Sequence, residues 1–345
     1  RMTSSGTVGT VLLDVDGSAD RVDVSLAGVV GDFTLNANEG VTDLDIAIYG
    51  IVGPAADTQA AVDLNLGEAV VDANIVLSGE IYGLTLDSSG DFDDLINLTI
   101  NSGANIRSVN GVDKALVFNL AGGVVDATID LDGQIQGIGL VTAGNQNNEI
   151  DLTVQAGAQI TALAADQYSV DLQMGEGGLD ADINVSGEVQ GLRLQTSGDY
   201  ADSFDFEADL AARITSPGNL VRAMSIDLGD GSVIANLSVG ENAEIEGLRL
   251  VTGTGDDTVE MSLLGDITKP DGGVDAALEL RTDAGQDTIV IEQAGFVSNM
   301  QLLGGTEADD YSLSLFGTAT GDIKIVDTTA TDPDSVGNRL FVDTE

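Results

Sequence analysis

The chain has 345 residues, with 58 acidic against 12 basic side chains for a net charge of −46, and it contains no Cys, His or Trp. Such a field repels the phosphates of nucleic acid and of anionic lipid, which argues against both as partners. The missing residue types exclude disulfides, thiol nucleophiles and Cys- or His-ligated metals, and leave any catalysis to carboxylates, hydroxyls and a few cations.

With 43% hydrophobic residues the chain is too apolar for a disordered acidic tail, so its charge rides on a folded body. Self-repulsion is then relieved by salt, by Ca²⁺, or by both. No stretch approaches the roughly 20 apolar residues of a membrane-spanning helix, so membrane insertion is not expected. The chain opens at Arg1 without a basic and apolar leader, so any export signal has been removed or lies outside this segment.

Taken in chain order, residues 1–63 hold a degenerate first repeat, visible as VSLAGVVGDFTL from Val24 to Leu35. Residues 64–281 hold four copies of a 54-residue repeat, marked by Ala73, Ala127, Ala181 and Ala235. The glycines keep step: Gly79, Gly133 and Gly187, then Gly83, Gly137 and Gly191, then Gly90, Gly144 and Gly198. The apolar positions Leu64, Phe118, Leu172 and Ile226 do the same, and the fourth copy carries two extra residues before Gly247. Residues 282–345 form a more irregular β region with Asp- and Gly-rich turns.

Inside each copy apolar residues alternate with polar ones, as in Ile75, Leu77 and then Ile96, Leu98, Ile100, which predicts short strands. Clusters such as DSSGD at 87–91 and TAGNQNN at 142–148 predict tight turns. The helix-like stretch from Glu207 to Ile214 aligns with strand positions in the other copies and is read as strand. Short strands in a long repeat of constant frame predict an all-β parallel β-helix, a β-solenoid with ladders of Ile, Leu and Val inside. Its coils are expected to hold roughly 18 to 27 residues, with the Ala73-type positions at crowded corners. The alternative architecture is a tandem of small antiparallel β domains.

Candidate chemistry lies in the acidic turns. The segments GTGDDTVEM at 253–261, DAGQDTIVI at 283–291 and GGTEADDYSL at 304–313 set a Gly-rich turn and one or two Asp before a strand, and SSGDFDDLINL at 88–98 and TSGDYADSFDF at 196–206 echo the form. Here the last quarter of the chain resembles the Gly- and Asp-rich calcium repeats of secreted bacterial proteins, the RTX class, and more loosely the giant repetitive adhesins of bacterial surfaces. That resemblance implies Ca²⁺ held by Asp256, Asp257, Asp287, Asp309 and Asp310. The family's nine-residue tandem spacing is missing, since Asp257 and Asp287 are 30 positions apart, so its metal cage does not carry over intact. The plain alternative is that Asp and Gly simply make good turns.

An enzyme is not expected, because an active site interrupts a repeat and the copies are well kept. Lys114, Lys269 and Lys324 fall at unrelated repeat positions, while Arg193 and Arg249 share one slot without marking a site. The irregular stretch TKPDGG, Thr268 to Gly273, is the best place for a grafted function, although Pro and Gly there suit a plain loop. No amphipathic capping helix is evident at either end, so the chain is expected to continue in a longer protein or to self-associate into a filament or lattice. The expected role is a structural segment of an extracellular or cell-surface assembly, such as a filament, surface layer or adhesin stalk. A secreted β-helical polysaccharide-degrading enzyme is the alternative.

Overall fold

The computed structural model describes residues 1–15, 21–37, 43–53, 60–68, 71–91, 93–109, 111, 113–165, 167–270, 276–327 and 339–344. Among them all regular structure is strand, and the strands pair in parallel. The chain divides into two compact units, one of Arg1–Ala164 with Ser169–Gly175, the other of Ala165–Tyr168 with Glu176–Glu345. Each unit is a parallel β-helix, and no antiparallel domain is found among the described residues.

One coil of the first unit runs through the strands Val71–Leu77, Glu80–Tyr82 and Leu84–Ser88. The next runs through Asp94–Ile100, Asn105–Arg107 and Leu116–Leu120, each strand pairing with its counterpart one coil back. Three strands per coil thus build a first, a second and a third sheet around one core. Alternation explains the strands: Val71, Ala73, Ile75 and Leu77 point inward and are fully buried, while Asp72 and Asn74 between them face solvent. The second unit repeats the plan, as in Leu179–Val185, Glu188–Gln190 and Leu192–Gln195, followed by Asp202–Ala208, Arg213–Thr215 and Met224–Asp227. The stretch from Glu207 to Ile214 is therefore strand, turn and strand, with the Ala212 amide donating to the Asp209 carbonyl at 3.0 Å.

Coil length meets the expected range of 18 to 27 residues in every second coil and exceeds it in the others. Ala73 pairs with Ile96, 23 positions on, and Ile96 with Ala127, 31 further, so one 54-residue repeat is a short coil plus a long one. In the second unit Ala181 pairs with Phe204 and Phe204 with Ala235, again 23 and 31 apart. Most of the difference lies at the corner between the second and third sheets. Short coils turn there on one glycine, such as Gly83 or Gly191, whereas long coils insert residues 108–115 or 216–223.

The reason is spatial. Strands stack about 4.8 Å apart, too close for side-chain-bearing loops on successive coils, while loops on every second coil have about twice that room. The glycine corner between two loops is gripped by both. Gly83 has φ +82, and a Cβ there would lie 3.0 Å from Ala60 Cα and 3.0 Å from Val109 Cγ2. Gly191, at φ +84, sits likewise between Tyr168 and Leu220. The two extra residues of the fourth copy change a different corner, between the first and second sheets. There the narrow Ser–Gly turn is replaced by Gly240–Ala243, closed by a 3.1 Å hydrogen bond, and the strands on either side stay in register.

The alanines do not sit at corners. Ala73 and Ala127 are mid-strand in the first sheet, facing inward, and alternate with Ile96 and Ile150; Ala181 and Ala235 alternate with Phe204 and Val259. A large side chain on one coil fills the space that the small one leaves on the next. Of the expected regional boundaries, 63/64 falls inside the strand Val62–Leu66 and 281/282 follows the strand Leu278–Arg281. The stacking continues past it, since Thr288–Gln293 pairs with both Thr258–Leu263 and Asp310–Leu315.

This packing predicts a compensating pair. Ala127→Ile is expected to cost about 1–3 kcal/mol by overpacking, and Ile150→Ala about 2–5 kcal/mol by leaving a cavity. The double variant should lose less than the two together, which equilibrium unfolding of all three proteins would measure.

Candidate functional site

The acidic turns join the third sheet to the first. At each such corner one residue turns inward just before, or at the start of, the first-sheet strand. Asp94, Asn148, Asp202, Asp257, Asp287 and Asp309 hold this position and are all buried. Their side-chain oxygens accept backbone amides from the neighbouring coil: Asn148 from Val125 at 3.1 Å, Asp202 from Leu179 at 2.8 Å, Asp257 from Val233 at 2.9 Å. A Ser or Thr at the end of the third-sheet strand supplies a second contact, as Ser88 to Asp94 at 2.7 Å and Thr196 to Asp202 at 2.9 Å. Each acid thus satisfies an amide that would otherwise be orphaned at a sheet corner.

The five aspartates picked out in the sequence separate on this frame. Asp257, Asp287 and Asp309 share the buried column. Asp256 is exposed and accepts the Gln286 amide at 2.9 Å, while Asp310 is exposed with the Arg339 guanidinium 3.8 Å away. Among the described residues no group of three or more acidic side chains is placed to hold a metal ion. Of the stretch Thr268 to Gly273, residues 271–273 lie outside the described residues.

Along the column the environment changes. In the first unit Val71, Asp94, Val125 and Asn148 succeed one another on consecutive coils, and opposite them Leu66, Ser88, Leu120 and Thr142 alternate in step. In the second unit Leu179, Asp202 and Val233 continue the alternation, but Asp257, Asp287 and Asp309 then follow directly on one another. The Asp257 amide donates to Asp287 Oδ1 and the Asp287 amide to Asp309 Oδ1, both at 3.0 Å. Asp287 is 1% exposed, and its Oδ2 has no hydrogen-bond partner. The nearby Thr282 hydroxyl donates to the Gly304 carbonyl at 3.2 Å.

Burial raises the Asp94 and Asp202 carboxyls above their ordinary value. It pushes Asp257 up to about 6, against the pull of the Thr252 hydroxyl and the Val233 amide. Asp287 goes up to about 7: burial is the main cause, and the neighbouring Asp257 and Asp256 carboxylates add to it.

A second set of charged residues was missed in the sequence. Lys114 Nζ lies 2.9 Å from Asp171 Oδ2, and Arg222 pairs with Glu279, both pairs being largely buried. Lys114 and Arg222 are 108 positions apart, two full repeats, and each reaches an acid 57 positions further along. Tyr168 holds the same slot in the copy between. Lys114 therefore shares its repeat slot with Arg222 rather than with the other lysines, a relation that shows only when the repeat length is doubled.

No helix among the described residues is long and apolar enough to cross a membrane. No family model, curated protein or solved structure matches the chain.

The buried acids set a pH dependence. A carboxyl whose folded pKa exceeds its unfolded value binds more protons when folded, so stability falls as pH rises between the two values. The thermal midpoint is expected to rise on going from pH 8 to pH 5. Asp287→Asn, which copies the residue found at Asn148, should raise the midpoint at pH 8 and flatten this slope, both readable by circular dichroism.

Proposed function

We propose that the chain is a structural segment or subunit of an extracellular assembly, such as a surface filament, a surface layer or an adhesin stalk. The observation that carries this proposal is the coil-on-coil register. Every coil offers the next one a row of backbone donors and acceptors matching the row it already pairs with. Material of this kind is extended by addition at an edge and requires no pocket.

Two further features support it. In the strand Arg339–Asp343 at the edge of the first sheet, Leu340 and Val342 pair in register with the buried Tyr311 and Leu313 yet are themselves exposed, an apolar row suited to cover by another coil, whether of a second copy or of a longer chain. The net charge of −46 opposes close lateral packing in dilute buffer and makes assembly responsive to salt and divalent cations.

Electron microscopy of the purified protein across a range of salt and Ca²⁺ concentrations tests the proposal. Filaments or two-dimensional arrays are expected, with order increasing as charge is screened. Dispersed single particles under every condition would count decisively against it.

A further inference from the structure

On one face of the first unit three successive windings present no charged side chain. The outward position of the second sheet runs, coil by coil, through Thr7, Val29, Ile51, Glu80, Asn105 and Gln134. The first three of these windings read SGTVG at 5–9, AGVVG at 27–31 and YGIVG at 49–53; from Glu80 on the position is acidic or an amide. Val29 is 44% exposed and Ile51 42%, and Tyr49 at the corner before Ile51 is also exposed. The other two faces of the same windings are acidic: the first sheet presents Asp23, Asp43 and Asp45 around Arg21, and the third sheet Asp14 and Asp63.

The strip has a shape as well as a composition. Glycines at 28 and 31, and at 50 and 53, leave bare backbone on either side of Val29 and Ile51, so these two side chains form a ridge between shallow grooves. The stacking fixes the first groove: a Cβ at Gly28 would lie 1.9 Å from the Gly6 carbonyl oxygen, and one at Gly50 1.9 Å from that of Gly28.

We propose that this strip is the face by which two copies of the chain meet side by side, related by a two-fold axis at Val29. Charge identifies the occupant. A basic partner would be held more strongly on the acidic first and third sheets, whereas a second copy, itself at −46, can approach closely only where both surfaces lack carboxylates. With the axis at Val29, the two ridges lie beside each other, each in the other's glycine groove, and Ile51 of one copy stands opposite Thr7 of the other. The strip offers on the order of 250 Å² per copy, well short of the roughly 800 Å² per partner of a stable complex. The contact is therefore weak for a single pair and strengthens where many copies are aligned. In this the inference rests on the assembly reading, to which it adds the face of contact.

Sedimentation velocity of the whole chain over a range of protein concentration tests the contact, at low salt and in about 1 M NaCl, where the Debye length is about 3 Å. Concentration-dependent pairing is expected at high salt. Val29→Glu sets two acids face to face and should weaken the pairing at least about tenfold. The row accepts an acid at Glu80, so this variant should fold, with the thermal midpoint as the check. Ile234→Glu makes the same charge change at a 57% exposed isoleucine of the first sheet and should leave pairing unchanged.

Equal loss in both variants would reduce the effect to general repulsion and overturn the inference, as would unchanged pairing in Val29→Glu. No pairing at any salt would assign the strip to a different chain and overturn it as well. Electron microscopy separates this outcome from that of the assembly reading. Filaments or arrays that Val29→Glu leaves intact would keep that reading and sink the pairing; wild-type pairs that never extend into filaments or arrays would do the reverse.

Discussion

Parallel strands stacked about 4.8 Å apart impose one demand on everything attached to them: whatever a coil carries must tolerate its neighbour's version at that distance. Backbone hydrogen bonds meet the demand automatically, because each strand's free donors match the next strand's acceptors. Side chains, corners and charges do not. Between the strands Asp43–Ile48 and Thr288–Gln293 the structure resolves each conflict in the same way, by alternating two unlike coils. Loop alternates with glycine at one corner, alanine with isoleucine or phenylalanine in the first sheet, and valine with aspartate in the buried column. The 54-residue repeat is the length of one such pair.

Charge is managed on the same frame. Outward acids are diluted by amide ladders, as where Asn65 donates to Asn36 and Asn36 to Asp14 on successive coils. The few cations are spent at inter-coil positions: Arg21 contacts Asp23, Asp43 and Asp45 together, and Arg249 bridges Asp227 and Glu279. Exposed pairs of the first kind contribute little each. The shielded pairs of Lys114 and Arg222 fasten a loop to a sheet, and losing one partner there would strand a largely buried charge. Where Asp257, Asp287 and Asp309 abandon the alternation, burial and the neighbouring carboxylates push the Asp287 carboxyl up to about 7.

Much of the architecture was legible in the sequence because it is one-dimensional. Period-two alternation set the strands, and the constant spacing of Ala73, Ala127, Ala181 and Ala235 showed that copies stack. The coil count was harder, since two coils of unequal length share one repeat and the repeat alone does not say where the division falls. The role of those alanines was misplaced for the same reason: their large partners, Ile96 and Phe204, belong to the other coil of the pair. Asp257, Asp287 and Asp309 were visible as turn acids, but turn chemistry does not distinguish an inward carboxylate from an outward one such as Asp256. Lys114 and Arg222 escaped notice because their relation spans two repeats and their acids lie on non-adjacent coils.

The pairing of long and short coils has a consequence for how such a chain can change in length. Within the alternating stretch, loss of a single short winding would set two loops against each other at one strand spacing, where they clash; successive short windings are tolerated, since Met2 pairs with Val24 and Val24 with Ile46 at equal 22-residue steps. Gain or loss of a whole pair restores every neighbour it disturbs. Within the stretch where long and short coils alternate, genetic expansion and contraction should therefore favour even numbers of turns.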